Sequence, residues 1–202
     1  MLTNKEIRQR GRQTLQDGIF SPAWLIGALL MFAAVMLCRS AKSIFLLALV
    51  VQGPIEMFHS AYFLNLHRDK IGAKDIMAPL TPVKSDITGA ILVGAIYFLM
   101  LQIGYKLFYF PGVIVSFLFG MIYYIRLDNP DIGYFDAFKE NWRLLKGHIG
   151  KYLLFKLSFI GWYILGYCTI VGVYWVKAYE NASTVAFYEE LRKADRSRYL
   201  PS

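Results

Sequence analysis

Six apolar stretches, separated by short charged segments, occupy most of this chain: residues 21–37, 44–64, 87–109, 111–125, 149–167 and 169–187. About 20 mostly apolar residues make a helix long enough to cross the hydrocarbon core of a bilayer. Within that core every backbone polar group needs a partner from the chain itself, so repeated runs of this length point to helices. Six crossings use roughly 120 residues, and the chain has 202. The pattern predicts an all-α fold: a polytopic membrane helical bundle of six spans, with amphipathic interfacial helices on the cytoplasmic side. It forms one membrane domain over 1–202. Residues 1–20 are a basic amphipathic N-terminal segment, 21–187 hold the spans, and 188–202 are a cytoplasmic tail. Composition agrees. The chain is 56% hydrophobic and 18% charged, with a mean hydropathy of +0.41, against about 45–50% and 25% for soluble domains. Disordered, collagen-like and disulfide-scaffold chains are excluded, and a soluble enzyme is disfavoured.

The net charge of +8 has a topological reading. Basic residues gather in the N-terminal tail (Lys5, Arg8, Arg10, Arg12), after the second run (Arg68, Lys70, Lys74, Lys84), after the fourth and after the sixth. The opposite connectors hold only Arg39, Lys42 and Lys106, and none of the acids. The positive-inside rule then places both termini in the cytoplasm of a cell that carries the protein in its inner membrane. Nucleic acid is not an expected partner; the bilayer and its anionic headgroups are. The first run is expected to insert uncleaved, because Glu6 and Asp17 interrupt the preceding region and no A-x-A-like site follows.

Two segments have amphipathic character. Thr3 and Glu6 fit a capping box at the start of a helix over 3–16, which either lies on the inner membrane surface or stays a mobile basic tail. Arg8, Arg10 and Arg12 are its headgroup candidates. Between the fourth and fifth runs, Asn129-Pro130 marks a turn. Phe135, Phe138, Trp142 and Leu145 then recur at helical spacing within about 131–147, and Gly147 ends the pattern. Lys139, Arg143 and Lys146 lie off that face and are further headgroup candidates. The same stripe also suits another membrane protein as partner.

Ionisable groups inside apolar runs are expensive and usually face a partner. Glu56 and His59 lie in the second run, Lys156 in the fifth, and Lys177, Glu180 and Asn181 in the sixth. Gly53-Pro54 suggests that the second run is two half-helices, with Glu56 in the first turn of the second half, next to the charges of the sixth run. Lys177 and Glu180 are spaced to pair with each other, and Lys156 to snorkel. A ligand or ion site over Glu56, His59, Lys177, Glu180 and Asn181 competes with a helix-capping or salt-bridge role. No catalytic, metal or cofactor motif occurs: His59, His67 and His148 are scattered, and there is no H-E-x-x-H, C-x-x-C, Walker or G-x-S-x-G string. Cys38 and Cys168 both map to the outer edge, either bridged or as two separate thiols, the second being the default.

The strings Pro111-Gly112, Asp128-Asn129-Pro130-Asp131-Ile132, Lys146-Gly147, Leu157-Ser158-Phe159-Ile160-Gly161-Trp162 and Phe187-Tyr188-Glu189-Glu190-Leu191 resemble the bacterial integral membrane proteins of the domain of unknown function 975 family. Gly53-Pro54-Ile55-Glu56 and the basic N-terminal segment are also similar. Ala178-Tyr179 stands where family members often carry Pro-Tyr. The resemblance implies a bacterial multi-pass membrane protein and supplies no catalytic residues. Three functions follow as expectations. The first is a non-enzymatic accessory, immunity, stress or scaffold protein. The second is a small transporter or channel component built around a broken second helix. The third is an enzyme on lipid-linked substrates using Glu56, Asp128 or Asp131.

Overall fold

A computed structural model describes residues 1–16, 18–42, 45–107, 109–169 and 172–199. Asp17, the turns expected at 43–44 and 170–171, Phe108 and the tail end 200–202 lie outside the described residues. Among these, all regular structure is helical. In chain order the helices are α1 (Asn4–Thr14), α2 (Pro22–Lys42), α3 (Phe45–His67), α4 (Leu80–Ser85), α5 (Ile87–Leu107), α6 (Tyr109–Leu118), α7 (Ile122–Asp128), α8 (Tyr134–Leu145), α9 (Ile149–Leu157), α10 (Ile160–Tyr167) and α11 (Gly172–Tyr199).

Three stretches are long and apolar enough to cross a membrane: Pro22–Ser40, Ile87–Leu107 and Pro111–Asp128. Six were expected, and each of the other three runs departs for a local reason. The α3 helix is long enough, but Gln52, Gly53, Pro54, Glu56 and His59 dilute its apolar character. The fifth run divides into α9 and α10 at Ser158, whose hydroxyl donates back to the Phe155 carbonyl at 2.6 Å, a local bond that competes with the helical ladder. The sixth run becomes α11, a long helix bearing Lys177, Glu180, Glu189 and Glu190.

The contacts gather into two compact units whose boundaries fall inside α2, α3 and α8. One comprises Phe32–Tyr62 and Ile76–Arg143. Its core joins Met57 of α3, Ala90, Val93 and Tyr97 of α5, Ile122 and Tyr123 of α7, and Phe138 of α8. The expected break at Gly53-Pro54 is absent, because α3 runs through Pro54 unbroken. Gly53 serves a different purpose there. A Cβ on it would lie 1.9 Å from the Ala90 carbonyl oxygen, and Gly94 meets the Gly53 backbone reciprocally. The glycine pair thus allows α3 and α5 to touch backbone to backbone, as small residues do where helices pack closely.

The other unit comprises Met1–Met31, Phe63–Asp75 and Leu144–Ser202. The α1 helix has the expected capping box: the Glu6 N–H donates to Thr3 Oγ1 at 3.3 Å, and the Thr3 N–H to Glu6 Oε2 at 2.7 Å. It packs on α11 through Ile7, Gly11 and Leu15, all fully buried or nearly so. At Gly11 a Cβ would come within 2.6 Å of the Ser183 Cα. Beside it, Tyr152, Phe155, Phe159 and Phe187 form a buried aromatic stack, with centroid separations of 5.1–6.2 Å. Ser21 starts α2 by accepting the Trp24 N–H at 3.2 Å, with Pro22 in the first helical position.

The α8 helix occupies the expected connector and ends before Gly147, at φ +87°, a left-handed stop that favours glycine. Its predicted aromatic face divides. Phe138 and Leu145 are buried with Ala137, Asn141 and Leu144, whereas Phe135 and Trp142 are exposed. The buried residues themselves recur at spacings of three and four, so α8 has one buried face, rotated from the predicted stripe and sharing only Phe138 and Leu145 with it.

Candidate functional site

The described residues bring the predicted polar groups into three separate arrangements. In the first, His59 Nε2 and Glu56 Oε2 lie 2.7 Å apart, one turn from each other on α3. His59 is buried and Glu56 about a third exposed, at 32%. Glu56 therefore does not begin a half-helix. It sits in mid-helix, where a carboxylate has no orphan N–H to cap.

In the second, Glu180 of α11 accepts from Lys156 Nζ at 2.8 Å and from the Tyr163 hydroxyl, and Lys156 also donates to Thr184 Oγ1 at 3.0 Å. Lys156 is 10% exposed and Glu180 18%. Lys156 therefore does not snorkel, because an acid and a hydroxyl already meet its donors. Lys177 is half-buried, and the ion-pair partner of Glu180 is Lys156 instead; the Lys177 backbone carbonyl accepts from Asn181 Nδ2 at 2.9 Å. Asn181 Nδ2 also reaches Met31 Sδ at 3.3 Å. Lys156 and Glu180 satisfy each other locally, so the cluster reads as a packed polar network.

The third arrangement is built on α1. Arg10 Nη1 donates to Glu190 Oε1 at 2.6 Å, and the Leu2 N–H to Glu190 Oε2 at 3.3 Å. Lys151 donates to the Leu2 carbonyl, and the Asn4 amide to the Lys151 carbonyl at 3.3 Å. Arg10 is thus a clamp on α11 more than a free headgroup ligand. Lys5, Arg8 and Arg12 follow at spacings of three and four, along one side of α1. Among the described residues neither Lys5 nor Arg8 has a carboxylate partner. Arg12 holds its guanidinium 5.7 Å from the centroid of the Tyr179 ring. These three cations, with Gln9, Trp162 and Tyr179, line a cleft of about 370 Å³. A second, mainly apolar cleft of about 220 Å³ shares Arg12, Trp162 and Tyr179, and adds Ile19, Trp24, Trp175 and Val176. The chemistry is that of an amphiphile site: fixed cations at one end and indole and phenol faces at the other.

A larger cleft of about 770 Å³ is lined by Arg10, Thr14, His67, Asp69, Lys70 and Asp75 among others. Its charges are of both signs. His67 Nδ1 lies 2.6 Å from Thr14 Oγ1. Burial holds the imidazole pKa below its ordinary range, against the opposing pull of Glu189.

On α8, Lys139 pairs with Asp136 at 2.9 Å and Arg143 with Glu140 at 2.7 Å, while Lys146 is exposed. Neither cysteine forms a disulfide among the described residues; Cys38 is half-buried and Cys168 exposed. Three features carried no sequence signal. They are the Arg126–Asp86 pair, the Trp162–Tyr179 wall, and the Arg68–Glu189 pair at 2.5 Å. In each, the partners are far apart in the chain.

Comparison with curated proteins and with solved structures gives no match. A family model does match, over residues 44–195, from the start of α3 almost to the end of α11. Both arms of the Lys156–Glu180 network, the Gly53 crossing and the aromatic wall of the amphiphile cleft lie inside that stretch, whereas α1 precedes it. On that match the chain belongs to the family described as protein of unknown function (DUF975).

Proposed function

We propose that this is a multi-pass, non-enzymatic protein of a bacterial cytoplasmic membrane, with both termini in the cytoplasm. It works as an accessory, stress or scaffold protein through contacts with lipid and with other membrane helices. The single observation that carries the lipid reading is the cleft of α1, which Lys5, Arg8 and Arg12 line together with Trp162 and Tyr179, Arg12 standing over the Tyr179 ring. Cations at the headgroup level attract anionic lipid by about 1 kcal/mol each, and the aromatic wall suits the boundary between headgroup and chain. The exposed side of α8 repeats the pattern: Phe135, Lys139, Trp142 and Lys146 follow at four, three and four. That stripe suits an interfacial helix or a docking face for another membrane protein.

The transport alternative rested on a broken second helix. With α3 continuous through Pro54, it keeps only the Glu56–His59 pair.

The test uses tryptophan fluorescence in nanodiscs containing brominated phospholipid. Brominated phosphatidylglycerol is expected to quench more strongly than brominated phosphatidylcholine. Trp162→Phe should remove much of that difference, and the triple variant K5E/R8E/R12E should abolish it. Equal quenching by the two lipids in the unaltered protein would sink the reading.

A further inference from the structure

The expected topology makes the last two apolar runs a hairpin that crosses the bilayer, with its turn near residue 168 on the outside. Hydrogen bonds at both ends of α11 oppose that. Near its start, Trp175 Nε1 donates to the Ile19 carbonyl at 3.0 Å, and Trp24 Nε1 donates to the Trp175 carbonyl at 3.1 Å. Ile19 and Trp24 flank the first turn of α2. The segment before α2 carries Lys5, Arg8, Arg10 and Arg12, which keeps it out of the hydrocarbon. The start of α2, and Trp175 with it, therefore stands at the membrane edge on the side where the chain enters.

Toward its other end, α11 is tied to the same side. Glu190 accepts from Arg10 and from the Leu2 N–H. Glu189 accepts from Arg68 Nε at 2.7 Å, and Arg68 directly follows α3, which at 23 residues is long enough to return the chain after α2. Trp175 and Glu189 are separated by about 21 Å of helix at 1.5 Å per residue. An upright helix would turn that length into depth, most of a core about 30 Å thick. Both points are instead fastened to segments of one face.

We infer that α10 and α11 lie along the cytoplasmic leaflet and do not cross the bilayer. Gly172, where α11 begins, is only about 5 Å of helix from Trp175, too short to reach the far side. The placement accounts for two other features. The Lys156–Glu180 pair then sits at interfacial depth, where a charged pair costs far less than at mid-membrane. The exposed Ile160, Ile164 and Leu165 of α10 dip into the acyl region, flanked by Trp162 and Tyr167, residues suited to an interface. The occupant of this apolar face is the lipid of the inner leaflet. The chain would cross with α2, α3, α5 and the 111–128 stretch, an even number that leaves both termini on one side.

The native cysteines discriminate. A six-span chain exposes Cys38 and Cys168 on the same outer face; an in-plane hairpin puts them on opposite faces. Full-length single-cysteine variants, C168S retaining Cys38 and C38S retaining Cys168, are exposed in intact cells to a membrane-impermeant maleimide. Ser40→Cys and Lys193→Cys in a cysteine-free background serve as outer and inner references. Cys168 is expected to be protected in intact cells at least ten-fold relative to Ser40→Cys, as Lys193→Cys is. Labelling of Cys168 in intact cells at the rate of the outer reference would overturn the inference, whatever the lipid preference of the α1 cleft.

Discussion

In the unit that holds α5, Gly53 rests on the backbone of Ala90 and Gly94; in the unit that holds α1, Gly11 rests on that of Ser183. The same small residue removes the side chain from a helix crossing in both places. What surrounds the crossing differs. Around Gly53 the neighbours are mainly apolar, and the most deeply buried ion pair of that unit among the described residues is Arg126–Asp86. Around Gly11 the crossing is ringed by partly exposed charge pairs, Arg10–Glu190 and Arg68–Glu189. The Gly53 crossing is held by contact, with a deeply buried pair elsewhere in its unit. The other is held by contact plus a rim of ionic clamps open to solvent and salt.

The largest effect is expected where a buried charge loses its partner. Arg126 is 5% exposed and makes a two-point bond to Asp86, 2.6 Å from Nε and 2.8 Å from Nη2. It also donates to the Ile132 carbonyl and faces the Tyr134 ring at 5.2 Å. Gly89 makes the space, since a Cβ there would lie 2.2 Å from Nη2. Asp86→Ala should cost about 3–5 kcal/mol, the usual penalty for stranding one member of a buried pair. The double variant D86L/R126M should recover most of that loss. Thermal unfolding in detergent, followed by the monodisperse fraction, measures both. A harmless Asp86→Ala would remove the distinction between the units.

Gly53→Ala and Gly11→Ala come next, at about 1–3 kcal/mol each for overpacking a close contact. Gly161→Ala, with open space around its Cβ position, should be neutral and serves as control. The two crossings should separate under salt. Raising ionic strength screens exposed pairs, so α1 should become more accessible to protease at high salt in the Gly11→Ala protein. The Gly53→Ala protein should show no salt dependence. Equal salt responses would argue that the ionic rim contributes nothing to the docking of α1.

These two crossings also show what the sequence revealed and what it hid. Apolar runs, the capping box at Thr3 and Glu6, the Asn129-Pro130 turn and the stop at Gly147 all depend on residues near one another in the chain, and each was legible. Gly53-Pro54 was misread because the same dipeptide serves a helix start and a close crossing. Only the distant Ala90 and Gly94 decide between them. Glu180 was assigned to Lys177 by spacing, but Lys156 competes from another helix with better geometry. The α1 cleft was half legible: Arg8 and Arg12 were headgroup candidates from the sequence, whereas Lys5 was not, Arg10 pairs with Glu190 instead, and the Trp162–Tyr179 wall depends on how α10 meets α11.

The smallest effect concerns pH, and it belongs to the unit with the ionic rim. His67 ends α3, bonded through Nδ1 to Thr14 Oγ1, with Arg10, Arg68, Glu189 and Lys193 as the charges around it. Burial lowers its pKa below the ordinary 6.5, and Arg10, Lys193 and Arg68 push the same way against Glu189. The unfolded chain therefore takes up a proton at higher pH than the folded one does. Stability contributed by the neutral imidazole is complete above about 6.5. It falls as pH drops through that value toward the lower folded pKa, because only the unfolded state gains the proton there. The unfolding midpoint of the intact protein should decline between pH 7 and 5, and His67→Gln should flatten that decline while leaving the pH 8 midpoint within a few degrees. If His67→Gln kept the full acid slope, the imidazole would have no part in it. The contrast between the units would then rest on the ion pairs alone.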